Sequence, residues 1–382
     1  MRILAIILAA APVLLGQRAD VLSRIRQQMT GVLLRQPNYT CTETVERSRQ
    51  AAGSHSKVED TLRLEVALVD GKEMFAWPGS KQFEDHDLSD LVSTGMFGNG
   101  NFAIYARILF LTNVATFQDR GETELDGHRT WRYDFQVPRL TSGQWLKVNK
   151  QEAQVGFHGS FYADPVTFDV RRLQVIADDI PQELGVLEAE IGVDYGRVRI
   201  GEEKFLLPVE SNLMMAMPDV VSRNSVRFAD CRRFAGESTL SFDDPVLTEA
   251  SAKTERIEEV EIPSGLTLQL DMPGLDLMRT AVGDTVRAML RGDLRNRRQL
   301  LAPKGSIAHG RIVRLDRYTS YFLLQIEFQD LEWTGGHARL KLRFDQTAFV
   351  SRLITPAQDG NIMISRQVGP RLSGILMFWR SE

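Results

Sequence analysis

The sequence predicts a mainly β (α+β) protein, in which a curved antiparallel sheet encloses short helices and a second strand-rich unit follows. Three observations carry this. Period-two alternation with many β-branched residues runs from Tyr39 to about Phe242 and resumes after Pro263. Strands and helices do not alternate regularly, which argues against a parallel sheet. One apolar helical stretch, from Phe102 to Val114, interrupts the strands and must cover an apolar face. With 382 residues the chain can form two domains, and 43% hydrophobic and 25% charged residues describe a folded globular protein.

Taken in order, Met1-Arg2 precedes an unbroken apolar run from Ile3 to Leu15 that ends at Gly16. One positive charge, a short apolar stretch and a small exit residue predict a signal peptide over 1–16, and hence a periplasmic or secreted protein. The run is too short to span a bilayer, which takes roughly 20 apolar residues. An uncleaved N-terminal anchor is the alternative. Over 17–37, Val21, Leu22, Ile25, Met29, Val32 and Leu33 recur at helical steps, and Pro37 ends the helix.

Residues 38–243 form the predicted sheet domain. Strands are expected around Tyr39–Arg47 and Leu62–Leu68, with Asp70-Gly71 turning the chain into Lys72–Trp77. The glycine-rich stretch Gly95–Asn101 leads into the apolar helix. Further strands are expected at Thr130–Val137, Ser160–Ala163, Arg172–Ile176, Gly192–Val198, Lys204–Pro208, Arg223–Ala229 and Ser238–Phe242. Residues 244–262 change to a charged linker containing Glu249, Glu255, Glu258, Glu259 and Glu261.

The last stretch, 263–382, alternates again at Leu266, Leu268 and Leu270, and carries 17 Lys/Arg against 11 Asp/Glu. Its surplus of six positive charges leaves −10 on the rest of a chain whose net charge is −4. An acidic front and a basic back suggest modules with different partners.

Two sets of motifs carry resemblances. Gly159-Ser160-Phe161-Tyr162-Ala163-Asp164-Pro165, followed by Asp169-Val170-Arg171-Arg172-Leu173 and later Gly201 with Phe205–Pro208, resembles the strand-turn-strand of the lipoprotein-carrier-like (LolA/LolB-type) half-barrel family. That resemblance implies a half-barrel over residues 38–243 with a hydrophobic cavity for acyl chains, and a lipid or lipoprotein as partner. Ala281-Val282-Gly283-Asp284-Thr285-Val286-Arg287-Ala288, with Leu301–Ser306 and Gly310–Val313, resembles the TrbI-type small β-barrels of conjugation and secretion scaffolds. It implies a barrel over 263–382 and an envelope protein partner for this basic domain.

Candidate sites are few. Met96, Phe97 and Phe102 flank the glycine-rich stretch, while Met214, Met215 and Met217 crowd a turn before Pro218. Methionine adapts to irregular apolar partners, so these six are the candidate hydrophobic mouth of a lipid-sized cavity. The alternative is that they plug the open end of the sheet. Cys41 and Cys231 are the only cysteines and, in an oxidising compartment, form a candidate disulfide, against the alternative of two buried thiols. Arg295, Arg297 and Arg298 form a basic run read as a weak polyanion patch, with nucleic acid disfavoured because no aromatics are interleaved.

The six histidines show no metal-ligand spacing, and Asp85-His86-Asp87 reads as a solvated loop. No nucleophile elbow, P-loop or zinc-protease motif occurs, so no metal, cofactor or catalytic activity is assigned. The leading expectation is an exported non-catalytic protein binding a hydrophobic or amphipathic envelope ligand. A scaffold component without a small-molecule ligand is one alternative, and a secreted hydrolase with unidentified carboxylates is another.

Overall fold

A computed structural model describes residues 11–80, 83, 102–148, 151–234, 258–347, 352–372 and 374–382, with side chains from residue 20 and, within the helix that begins at Phe102, from residue 104. Met96, Phe97, the Asp85–Asp87 run, the expected strand at Ser238–Phe242 and most of the charged linker lie outside the described residues. The chain divides into two compact units. The first comprises Met1–Lys57, Glu65–Ala76 and Gln82–Phe234; the second comprises Val58–Leu64, Trp77–Lys81 and Ala235–Glu382.

The first unit opens with α1 (Ala11–Arg35) and continues through β1 (Tyr39–Ala51), β2 (Lys57–Val69), β3 (Lys72–Ala76) and α2 (Phe102–Leu111). Next come β4 (Thr116–Leu125), β5 (His128–Val137), the single turn α3 (Arg139–Ser142), β6 (Gln144–Val148) and β7 (Gln151–Ala163). The long strands β8 (Val170–Asp178), β9 (Glu188–Ile200), β10 (Glu203–Met217) and β11 (Val220–Arg233) complete it. The described strands join in the order β3-β2-β1-β11-β10-β9-β8-β7-β5-β4, with β6 beside β7. Most pairings are between sequence neighbours. The exceptions are β5 against β7 and β1 against β11; at the latter the beginning and end of the strand sequence meet, and Cys41 and Cys231 are disulfide-bonded. Such a cross-link typically contributes about 2–4 kcal/mol.

The sheet must curve. On α2, Tyr105 packs edge-on against Phe157 of β7, with ring centroids 5.3 Å apart. Two residues on, the Arg107 guanidinium lies 3.2 Å from the position a Cβ on Gly71 would take, in the turn between β2 and β3. Strands β2 and β7 are six steps apart in the sheet, roughly 29 Å if it were flat. Side chains two residues apart on one helix cannot bridge that span, so the sheet wraps around α2. This is the expected curved antiparallel sheet over an inserted helix. The wrap is aided at Gly159, where a Cβ would stand 1.9 Å from the Gln174 carbonyl oxygen and 2.9 Å from the Phe135 ring.

Helix α1 packs through Ile25, Met29, Val32 and Leu33, all buried at the i, i+4, i+7, i+8 spacing. Each such burial contributes about 1.5–3 kcal/mol. Polar contacts fix its register: Gln28 donates to Asp169 (2.9 Å), Thr30 to the Phe110 carbonyl (3.0 Å) and Gln36 to the Leu206 carbonyl (3.0 Å). The helix starts at Ala11, so it includes residues on both sides of the expected signal-peptide boundary. Helix α2 ends at Leu111, three residues before the expected Val114, where the Thr112 hydroxyl turns back to the Ile108 carbonyl (2.5 Å).

The second unit is also β-rich, and its largest sheet has ten described strands. Its core holds Trp379, 1% exposed, edge-on to Phe328 and Phe344. Here the Val282-Gly283-Asp284 motif has a local task. The Arg63 amide donates to the Val282 carbonyl (2.7 Å), and the Val282 amide donates to Thr61 (2.8 Å). Arg63 also forms an ion pair with Asp284. Gly283 has φ +100°, and a Cβ there would sit 2.2 Å from the Arg63 carbonyl oxygen and 2.9 Å from the Trp77 ring. Only glycine fits. Gly283→Ala is expected to destabilise this unit by about 3 kcal/mol or more, by combining backbone strain with a clash. Gly265→Ala, also at positive φ but with open space around it, should cost only about 1 kcal/mol. Denaturant melts of the two variants check the difference.

Candidate functional site

The two faces of the first unit's sheet differ in chemistry. Strand register places Val45, Val226, Ser211, Val193, Leu173, Phe161 and Tyr133 in one row on the helix-covered inner face. All seven are buried. The next row brings Ile191, Val175 and Phe135 together. The aromatic side chains interlock: Phe110 is edge-on to Phe161, and Tyr133 stacks on it at 5.3 Å.

The opposite, convex face is ionic. Arg172 forms ion pairs with Asp194 (2.6 Å) and Asp126 (3.0 Å), and His158 Nδ1 is hydrogen-bonded to Asp178 (2.7 Å). Burial pushes Asp134 up, but hydrogen bonds from Ser160 and Arg120 and the Arg132 charge outweigh it and hold the carboxyl below its usual range. Two depressions, of about 520 and 700 Å³, lie on this face and are lined mainly by such polar and charged residues.

The inner face is not wholly apolar, and its polar groups are the candidate site. Glu43 of β1 is 1% exposed, and its Oε2 has no hydrogen-bond partner among the described residues. Burial alone pushes its carboxyl from 4.5 to about 8. Tyr39, also on β1, is 2% exposed, and its hydroxyl has no partner among the described residues. Ser211 of β10 is fully buried, and its hydroxyl likewise has no partner among those residues. An unmet buried hydroxyl or carboxyl costs about 1–3 kcal/mol, and natural proteins keep few of them.

Near Tyr39 lies a wider polar cluster. Burial, together with the Glu73 carboxylate of β3, pushes the Tyr105 phenol of α2 up to about 12. Tyr39 rises through burial and Glu73, against the opposing pull of Arg107 on α2, and Tyr195 of β9 rises through burial, Tyr39 and Glu73. Three phenols, one carboxylate and one guanidinium from β1, β3, α2 and β9 therefore converge.

The predicted site residues are distributed differently. Met215 is buried with Val148, Leu184 and Val186, and Met217 packs against that cluster beside Leu146 and Ile180. Met214 does not join them: it lines the 520 Å³ depression of the convex face, with Asn212 and Arg223, because neighbours on a strand point to opposite faces. Phe102 begins α2, and its side chain lies outside the described residues.

In the second unit, Arg297 and Arg298 form the two-residue turn of the hairpin Leu294–Asn296/Gln299–Ala302, where Arg297 has φ 55°. Arg295 is on the same hairpin, and its charge is offset by Asp293 at 2.9 Å. Among the described residues no group of three or more His, Cys, Asp or Glu is arranged to hold a metal ion. No described helix is long and apolar enough to cross a membrane.

No family model matches the chain, and no curated protein matches it. It is similar to solved structures. A LolA superfamily protein from Nitrosomonas europaea aligns over 57% of this chain and 94% of that one, at 11% identity and a TM-score of 0.28. A DUF1329 family protein from Desulfovibrio piger aligns over 60% and 96%, at 13% identity and 0.30. The lipoprotein LppX of Mycobacterium tuberculosis aligns over 56% and 96%, at 8% identity and 0.21. Likenesses at these TM-scores carry no inference about ligand or activity.

The raised pKa of Glu43 has a consequence for stability. Between pH 4.5 and about 8 the folded chain keeps a proton that the unfolded chain releases, so this contribution is complete below pH 4.5 and lost as pH rises to about 8. The slope is at most about 1.4 kcal/mol per pH unit. Glu43→Gln should flatten the fall in stability across that window, as read from denaturant midpoints between pH 5 and 9.

Proposed function

We infer that the chain is an exported, non-catalytic envelope protein whose first unit binds an amphipathic ligand inside its half-barrel. The supporting observation is the pairing of an apolar inner face with two buried polar atoms, Glu43 Oε2 and the Tyr39 hydroxyl, that have no hydrogen-bond partner among the described residues. A ligand with an apolar chain and one polar group would match both features: the chain against Phe161, Leu173 and Val193, and the polar group beside the unmet side chains. The carrier-like motifs around Asp164-Pro165 favour the same reading. The leader-like run over residues 1–16 supports a periplasmic or secreted location. In this reading the second unit docks on an envelope partner through its basic hairpin, and its likeness to scaffold barrels rests on sequence motifs alone.

A second reading, a scaffold component without a ligand, is favoured by one observation. Met215 and Met217 pack against Val148, Leu184 and Val186, as residues closing a sheet end would.

The experiment is a native mass measurement on chain purified without detergent from an exporting host. The ligand-binding reading expects an excess mass in the range of a lipid or acylated peptide, lost on solvent extraction. A bare chain that also fails to take up added acyl lipid would leave the scaffold reading.

A further inference from the structure

On the reading that the second unit docks through its basic hairpin, the kind of surface it meets follows from how that hairpin is built. Residues 291–306 are an excursion between two paired strands, Thr285–Leu290 and Ile307–Arg317. The excursion leaves and returns at one point, where the Leu290 amide donates to the Ser306 carbonyl and the Gly305 amide to the Leu290 carbonyl, both at 2.8 Å. Its base is anchored by buried Leu294, Leu301 and Ala302. Beyond that base, Arg297, Arg298, Gln299 and Leu300 are consecutive exposed residues. Within the excursion five Lys/Arg stand against one Asp, so the exposed tip is positive.

The tip carries three features that a plain turn does not need. Arg297 has φ 55°, a left-handed backbone. Of the seven described non-glycine residues with positive φ, five are Asp, which tolerates it, so an arginine here is out of keeping with the turn chemistry of the rest of the chain. Arg297 and Arg298 make no ion pair or hydrogen bond among the described residues, whereas Arg291 and Arg295 are paired with Asp271 and Asp293, each at 2.9 Å. Leu300 is 46% exposed and lies directly across the hairpin from Arg295, hence on the same face.

Three anionic surfaces can be weighed. A folded acidic protein offers charges at fixed points, which are met best by side chains already held in place. Arg297 and Arg298 are held by nothing. Single-stranded nucleic acid calls for an aromatic stacking platform, and residues 291–306 contain no aromatic side chain. An anionic bilayer presents phosphates that move laterally to meet a guanidinium, with an apolar layer beneath them to take a leucine.

We propose that the 291–306 hairpin docks on the surface of an anionic phospholipid bilayer, with Arg297 and Arg298 on lipid phosphates and Leu300 entering the acyl boundary.

The test is co-sedimentation of the full chain with vesicles of phosphatidylcholine, alone or mixed with phosphatidylglycerol, at low and high salt. The wild-type protein should bind the anionic vesicles more tightly than the neutral ones and lose the difference at high salt. Arg297→Asn combined with Arg298→Gln suits the turn, so its denaturant midpoint should not fall. It should bind anionic vesicles about thirtyfold more weakly, since each arginine near such a surface is worth about 1 kcal/mol. Leu300→Ser should weaken that binding about fivefold and leave retention on heparin unchanged. Should the double variant not fold, Arg298→Gln alone, with about a fivefold loss, takes its place. Unchanged affinity of either the arginine variant or Leu300→Ser for anionic vesicles would overturn the lipid assignment. If the arginine variant then still leaves heparin earlier than the wild type, the hairpin docks on an acidic partner other than lipid, and the docking reading stands. If its heparin retention is unchanged too, the docking reading falls with the assignment.

Discussion

The first unit depends on one constraint: a ten-residue helix that touches strands six places apart in the same sheet. Helix α2 meets β7 through Tyr105 and Phe110 and reaches the turn between β2 and β3 through Arg107. A helix of that length is about 15 Å long, half the width the intervening strands would occupy if flat. Curvature therefore follows from the packing of α2. The two faces of the sheet then acquire different roles, because alternation along each strand sends apolar residues towards the helices and charged residues outwards. The bonded pair Cys41–Cys231 holds the strand pair at which the first and last strands of the unit's sequence meet.

Within that wrap the polar groups stand out by their cost. A sheet that served only to cover two helices could fill positions 39, 43 and 211 with apolar residues at no loss of packing. It carries a phenol, a carboxyl and a hydroxyl instead, each buried with an unmet hydrogen-bonding atom. Structures retain such groups where an unseen partner satisfies them or where their chemistry is used. The ionic convex face offers no comparable opportunity, since its charged residues are largely matched to one another. These contrasts are what the proposed inner-face ligand rests on.

Much of the fold was legible in the sequence because it rests on local signals. Alternation marked most long strands, Asp70-Gly71 marked a turn, and the spacing of Ile25, Met29, Val32 and Leu33 marked the buried stripe of α1. The cysteine pairing followed from compartment and number. The site was less legible. Tyr39, Glu73, Tyr105 and Tyr195 come from four elements spread over more than 150 residues, and each looks ordinary in its own strand or helix. One signal was available: Glu43 occupies an inward position in the alternation Cys41, Glu43, Val45, where a charged residue is out of place. The methionine reading weighted composition over direction and so grouped Met214 with Met215 and Met217. Membership of Val58–Leu64 and Trp77–Lys81 in the second unit had no local signal, because it depends on Gly283 and Asp284 more than 200 residues away.

The central claim is that an acyl ligand lies on the inner face of the first unit. The most direct measurement is photo-crosslinking with a diazirine placed mid-chain on a monoacylglycerol, followed by peptide mapping of the modified residues. Labels on Phe161, Leu173, Val193 or their inner-row neighbours are the predicted result. Labels confined to convex-face residues such as Met214 and Arg223, or to the second unit, would contradict it.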